Sequence, residues 1–267
     1  MTKTKATAPE AVSEVLNIPD VFRAVMVNFS GNTGKTTIAR HLFLPVLPGA
    51  ELVRVETINS SGSSEADVEV AGKQFEAVAK MLYATDHHML VDIGASNIEA
   101  VKQVLYRVAG SHRLVDMWVV PCMPNKKMTT DTINTLKELL KIGVRPSSIV
   151  VIKNKVMDVD AMDDEFAELM AVCKVLNVRL VDRPMLEYDL YSDMDHRPGS
   201  LDDVFNDTTD FKAAMLAARR AGDLKAAEEA MDADFRRMNS ESAVENLRSM
   251  RCDIFGMVPA HVVASAG

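Results

Sequence analysis

The stretch AVMVNF-SGNTGKTT-IARHLFL, Ala24 to Leu44, decides the reading of this chain. AVMVNF (24–29) is a β-rich apolar run and IARHLFL (38–44) has the apolar spacing of a buried helix. Between them, Ser30-Gly31-Asn32-Thr33-Gly34-Lys35-Thr36-Thr37 stands where a strand-to-helix turn cradles phosphate through converging backbone N–H groups. Gly31 and Gly34 would let the backbone curl close to a ligand. Lys35 would place its charge on the β and γ phosphates, Thr36 would offer a hydroxyl to Mg²⁺, and Thr37 would reach the α phosphate.

Outward from this turn the pattern repeats as apolar strand followed by amphipathic helix. Leu52 to Val55 reads as a second strand, and Val68, Ala71, Phe75, Val78 and Leu82 fall at helical spacing. MLVDI (89–93) is a third strand, with Ser96 or Asn97 as the cap of the helix that follows. VDMWVV (115–120) reads as a strand stopped by Pro121, followed by a helix over 130–142 ended by Gly143. IVVI (149–152), a helix through Met162, Phe166, Leu169, Cys173 and Leu176, and VRLV (178–181) complete the series. Nearly continuous apolar strands separated by amphipathic helices predict an α/β fold: a doubly wound, mostly parallel sheet with helices on both faces.

Residues 1–20 read as a flexible N-terminal extension, 21–208 as the phosphate-loop domain, 209–252 as a C-terminal helical segment packed on it, and 253–267 as a frayed tail. Within the domain, 183–210 breaks the periodic pattern and reads as an acidic loop or lid. Leu224, Ala227, Met231, Phe235 and Met238 recur at helical spacing, and the methionines on such faces read as core filling.

The chain has 267 residues and a formal charge of −8, so its overall field repels nucleic acid and any DNA contact must be local. Candidate patches are Lys126-Lys127, Arg219-Arg220, Arg236-Arg237 and Arg248 with Arg251. Residues 219–251 hold as many acidic as basic side chains, which gives no net attraction. The three cysteines, Cys122, Cys173 and Cys252, lack metal-ligand spacing and read as buried thiols of a reducing compartment. With no apolar run long enough to span a bilayer and no signal core, the expected location is the cytoplasm. His87 and His88 read as loop histidines.

Asp92 ends a strand one or more β-α units beyond the phosphate loop, where a carboxylate can face the metal, and Gly94 beside it can sense the γ phosphate. Glu56, at the end of LVRVE, is a second candidate for holding metal-bound water. Asn154 follows IVVI, where a side-chain amide can donate to and accept from a base edge. The run Asn154-Lys155-Val156-Met157-Asp158 approaches the guanine signature with its aspartate one residue late, and adenine is the favoured base.

Gly31, Gly34, Lys35 and Thr36 resemble the deviant Walker A motif of ParA/MinD-type ATPases, with Ser30 in place of that family's signature lysine and Asn32 in place of its second glycine. The resemblance makes Glu56 the first acid of the switch segment and puts Ile58 at the water-activating position, leaving Asn59 or Glu65 as substitutes and implying slow or partner-dependent hydrolysis. It also implies that Asn154 contacts adenine, and it implies an ATP-dependent homodimer whose usual cross-interface lysine is missing. NFSGNTGKTT, VRVETIN, VDIGASN and the VVPCMP stretch, from about Phe22 to Val156, are similar to the StbB family of plasmid stability proteins. That resemblance implies a plasmid-borne ATPase, using ATP and Mg²⁺, that affects plasmid maintenance and conjugative transfer beside a DNA-binding operon partner. Two other classes fit the same loop: a nucleotide-binding adaptor without turnover, and a small-molecule kinase or ligase with 183–210 as its lid.

Overall fold

The structure is a computed structural model that describes residues 14–56, 67–71, 75–108 and 110–259. Its strands are β1 (Glu14–Leu16), β2 (Arg23–Met26), β3 (Glu51–Glu56), β4 (Asp67–Ala71), β5 (Met89–Ile93), β6 (Met117–Cys122), β7 (Ile149–Lys153), β8 (Arg179–Leu180) and β9 (Met257–Pro259). Seven of them form one sheet in the order β4-β3-β5-β2-β6-β7-β8, every neighbouring pair parallel. The expected fold class is the one found, with β2 in the middle and the phosphate loop at its C-terminal edge.

Helix α1 (Lys35–Thr37) continues directly as a π-helix over Ile38–Phe43, and the continuous helix 35–43 is called α1 below. The remaining helices are α2 (Phe75–Ala84), α3 (Ile98–Arg107), α4 (Lys126–Ile142), α5 (Met162–Glu165), α6 (Ala167–Leu176), α7 (Asp189–Met194), α8 (Leu201–Phe205), α9 (Phe211–Ala221) and α10 (Leu224–Phe255). Alternate residues of each central strand enter opposite layers, because side chains of a strand point to opposite faces in turn. Val25, Val53 and Val91 join α2, α3, α4 and α6 in one core; Met26, Leu52 and Leu90 join α1, α7, α8 and the rear of α10 in the other. A sheet buried on both sides needs apolar residues at consecutive positions, which is why these strands lack alternation.

Several expectations are corrected. Asp67–Ala71 is an edge strand beside β3, not the start of a helix. Val68 and Val70 lie two apart, a strand period, and the helix begins only at Phe75. Pro121 does not stop its strand: β6 runs on to Cys122 because β2 pairs only as far as Met26 with Val119, and the Pro121 carbonyl takes the Asn28 amide at 2.7 Å. Asn97 does not cap α3 through its side chain; its amide instead donates to the Val55 carbonyl at 3.0 Å. The helix over 162–176 is broken at buried Phe166.

At the chain ends, α10 extends to Phe255, and β1 and β9 pair antiparallel, so 14–16, 253–255 and 257–259 lie in strand or helix; the rest of the expected extension and tail, 1–13 and 260–267, lies outside the described residues. Residues 183–210 hold α7 and α8. The stripe Leu224, Met231, Phe235 and Met238 is exposed, Leu224 at 74% and Met238 at 65%, and is not core. Only the rear of α10, from Ser240 onward, docks extensively, since the front half has Ala227 alone buried and packs on α9. Cys122 and Cys173 are buried as expected, while Cys252 is partly exposed. Burial pushes the Cys173 thiol up to about 12, so it is inert at neutral pH. Among the described residues no helix is long and apolar enough to cross a membrane.

Candidate functional site

The phosphate loop spans the step from β2 to α1. Its left-handed positions are Asn32 (φ 56) and Gly34 (φ 84). Asparagine tolerates this conformation, so Asn32 supplies one bend and Gly34 the other. Gly31 is not held there by its backbone. A Cβ on Gly34 would lie 2.1 Å from Asn154 Nδ2, whereas one on Gly31 would only touch Ala95 at 4.0 Å. Of the two glycines, Gly34 is therefore the one the geometry demands.

The N-terminal arm of the loop is tied to α4. Asn28 donates to Thr132 Oγ1 at 2.8 Å and accepts from the Ser30 N–H at 2.8 Å, and the Phe29 N–H donates to Thr135 Oγ1 at 3.1 Å. The Ser30 hydroxyl donates to Asp131. Ser30 is 3% exposed, so this side chain serves as an anchor inside the protein. Spacing of polar residues along α4 (Asp131, Thr132, Thr135) was the signal for this network, and sequence reasoning missed it.

Lys35 is buried, and its Nζ donates to the Ser30 carbonyl at 3.1 Å. Burial pushes its pKa below the ordinary lysine value, and the charge of Asp92 opposes that shift. Thr36 Oγ1 donates to Asp92 Oδ2 at 2.5 Å. The predicted hydroxyl and carboxylate ligands of a metal are thus brought together. Gly94 follows β5, and its N–H donates to the Val55 carbonyl at 3.0 Å. Asn154 lies behind the loop, 2% exposed, with its amide donating to the Thr33 carbonyl at 2.8 Å. Glu56 ends β3, and nothing is described of its side chain; Ile58, Asn59 and Glu65 lie outside the described residues. Asp158 accepts the Asp160 N–H at 2.9 Å, which closes a local turn.

Together these elements enclose a cavity of about 510 Å³ lined by Gly31 to Thr37, Arg40, His41, Arg54, Asp92, Gly94, Ala95, Lys155 and Asp195. Lys35, Arg40, Arg54 and Lys155 face two carboxylates there, a local excess of positive charge in a chain of net −8. Arg40, His41, Arg54, Lys155 and Asp195 were not singled out from the sequence as site residues. Lys155 carries a positive φ of 57, and Arg40 reaches the carbonyls of Met194 and Gly199, each at 2.8 Å. Arg251, 3% exposed, donates to the His41 and Leu42 carbonyls and pairs with both Asp202 oxygens. The segment around α7 and α8 is therefore clamped onto α1. Arg251 is excluded as a DNA contact, and Arg237 is tied to Asp234 at 2.6 Å.

His88 is buried and accepts the Phe22 N–H through Nδ1 at 3.1 Å. Among the described residues no group of three or more His, Cys, Asp or Glu could hold a metal ion. A two-ligand site of the Thr36–Asp92 kind suits Mg²⁺, which keeps several waters and takes other oxygens from phosphate.

A parallel sheet with this loop at the tip of its central strand, and an acid at the tip of the neighbouring one, defines a P-loop α/β protein. No protein-family profile and no curated protein matches the sequence. Among solved structures, apo McdA from Cyanothece aligns at 15% identity and a TM-score of 0.46, over 79% of this chain and 99% of that one. MinD from Aquifex aeolicus aligns at 12% identity and 0.48, over 82% and 97%. A putative plasmid partition protein from Borrelia burgdorferi B31, bound to AMPPNP, aligns at 9% identity and 0.45, over 82% and 100%.

Proposed function

We propose that this chain is an ATP-binding P-loop switch with Mg²⁺-dependent ATPase activity that is slow or partner-dependent. The observation that carries this reading is the convergence of Lys35, Thr36 and Asp92 on one cationic cavity beneath a loop whose Gly34 admits no side chain. The loop amides and Lys35 would hold the phosphates, and Thr36 with Asp92 would hold the metal, with Glu56 and Asn59 as further acid and amide candidates. The cation, when bound, would neutralise charge on the phosphates and polarise them toward attack. Use of Asp158 in a local turn supports adenine over guanine.

The likeness of NFSGNTGKTT and VDIGASN to StbB proteins extends the reading to plasmid stability, partition or positioning and conjugative transfer, in the cytoplasm, with a DNA-binding operon partner and a nucleotide-dependent homodimer. Lys35→Ala should abolish saturable ATP–Mg²⁺ uptake and plasmid retention together. Folded wild-type protein that takes up no nucleotide would overturn the reading.

A second reading, an adaptor that holds ATP without turnover, is favoured by Ser30: the residue is neutral, and its buried hydroxyl donates to Asp131 rather than into the cavity. Phosphate release measured with and without DNA and the operon partner separates the two.

A further inference from the structure

We propose that Asp195 accepts the ribose hydroxyls of the bound nucleotide and so makes the site select ribonucleotides over 2′-deoxyribonucleotides. This rests on the nucleotide reading above and adds to it a specificity-determining residue at the sugar end.

Asp195 is an exposed residue of the wall of the same cavity that holds Lys35, Thr36 and Thr37. Its backbone is fixed from two sides. The Asp195 N–H donates to the Ser192 carbonyl at 3.2 Å at the end of α7, and the carbonyl of the preceding residue, buried Met194, takes Arg40 Nη1 at 2.8 Å. Arg40 lies on α1 one turn past Thr36. Asp195 is therefore held at the flank of α1, one turn beyond the threonines assigned to the phosphates and the metal.

The sheet decides which part of a nucleotide reaches that place. The loop follows β2, β5 lies on one side of it, and β6 and β7 lie on the other. The Thr36–Asp92 pair bridges from the loop to β5. A metal shared between that pair and the terminal phosphates sets those phosphates on the β5 side, so the sugar leaves the loop on the side of β7. Lys155 lines the cavity there, and the next residue, Val156, joins the β7 end to the segment that leads into α7: its N–H donates to the Met185 carbonyl at 3.2 Å and its carbonyl takes the Glu187 N–H at 3.0 Å. The end of the cavity that receives the sugar is thus walled by the segment carrying Asp195.

The chemistry agrees with the placement. A ribose offers two neighbouring hydroxyl donors, and an ionised carboxylate is an acceptor only, with two oxygens. Lys35, Arg40, Arg54 and Lys155 line the same cavity, so a carboxylate at its sugar end does not make the site anionic. Among the described residues no Phe, Tyr or Trp lines the cavity to stack a base, which leaves the sugar as the part of the nucleoside that this wall can read.

The test is calorimetric titration of wild type, Asp195→Ala and Asp195→Asn with ADP–Mg²⁺ and, separately, 2′-deoxy-ADP–Mg²⁺, with thermal melts to establish folding. Wild type should bind ADP about tenfold more tightly than the deoxy form, the order of one hydrogen bond to a charged group. Asp195→Ala should weaken ADP more than 2′-deoxy-ADP and bring their ratio to within about twofold of one. Asp195→Asn, which keeps one acceptor oxygen, should fall between. A wild-type ratio of one would mean that the sugar is not read, and a wild-type preference that survives in Asp195→Ala would mean that another group reads it; either overturns the proposal and leaves the nucleotide reading intact. If Asp195→Ala does not fold, Asp195→Asn decides alone: a ratio equal to wild type overturns the proposal. Folded wild type that binds neither nucleotide overturns the nucleotide reading itself, and Asp195 with it.

Discussion

The Asn154 amide donates to the Thr33 carbonyl at 2.8 Å, and the same nitrogen would lie 2.1 Å from any Cβ at position 34. A residue behind β7 thus holds the outer bend of the loop and leaves room at that point for hydrogen alone.

Gly34→Ala should therefore fail twice, from the left-handed φ of 84 and from the contact with Asn154. The expected result is loss of nucleotide binding with a lowered melting temperature. Asn154→Ala relieves only the contact. In a double-mutant cycle the pair should be more stable than the sum of single losses by about 0.5–3 kcal/mol. Strict additivity in urea denaturation would refute the contact.

Asp92→Asn keeps the shape that meets Thr36 but removes the charge. ATP titrated with Mg²⁺ should then bind about tenfold or more weakly than to wild type, the order expected for one lost charged ligand. Titration in EDTA should show little difference between the two proteins. A loss of equal size in EDTA would show that Asp92 acts on the loop rather than on the metal.

His41 gives a pH signature. Its Nδ1 accepts the Leu201 N–H at 3.2 Å, which requires an unprotonated nitrogen. Burial first, then the nearby Arg40 charge, depresses its pKa to about 4; Arg251 acts the same way, and Asp202 and Asp203 oppose. The unfolded chain takes up the proton near pH 6.5 and the folded one does not until about 4, so the contribution is complete above the unfolded value and is lost as pH falls through that window. The loss is on the order of 3 kcal/mol. His41→Gln should flatten the slope of stability against pH between 6.5 and 4; an unchanged slope would refute the assignment.

Arg251 and Asp202 form a pair whose side chains are 3% and 14% exposed. Arg251→Met leaves Asp202 and two α1 carbonyls without their donor, at a cost of about 3–5 kcal/mol. Adding Asp202→Leu should recover part of that, as read from urea midpoints at constant m-value. No recovery would mean that the carbonyl contacts to α1 dominate.

Much of the fold was legible because each central strand is an apolar run and each helix has its own period. Failures occurred where period and length were short: DVEVA at 67–71 is five residues, too few to separate a strand from the first turn of the helix behind it. Pro121 was misjudged because the cost of a missing N–H depends on whether a neighbouring strand is there to receive it. Phe235 and its stripe have a helical period that says a face is apolar, not that something covers it. At the site, Lys35, Thr36 and Asp92 could be read because they flank recognisable strand ends. Arg40, Arg54, Lys155 and Asp195 could not, since each belongs to a different element and shares only a cavity.

By itself the sequence determined the alternation of strand and helix, the phosphate-type turn between β2 and α1, and the acid at the end of β5. These are local properties of spacing and residue type. Only the tertiary structure decided that Ser30 is an internal anchor on α4, that Asn154 shapes the loop, that Arg251 clamps α1, and that Arg54 stands beside Asp92. Those relations join residues from 38 to 210 positions apart, and they are set by strand register and by which face of the sheet a side chain enters.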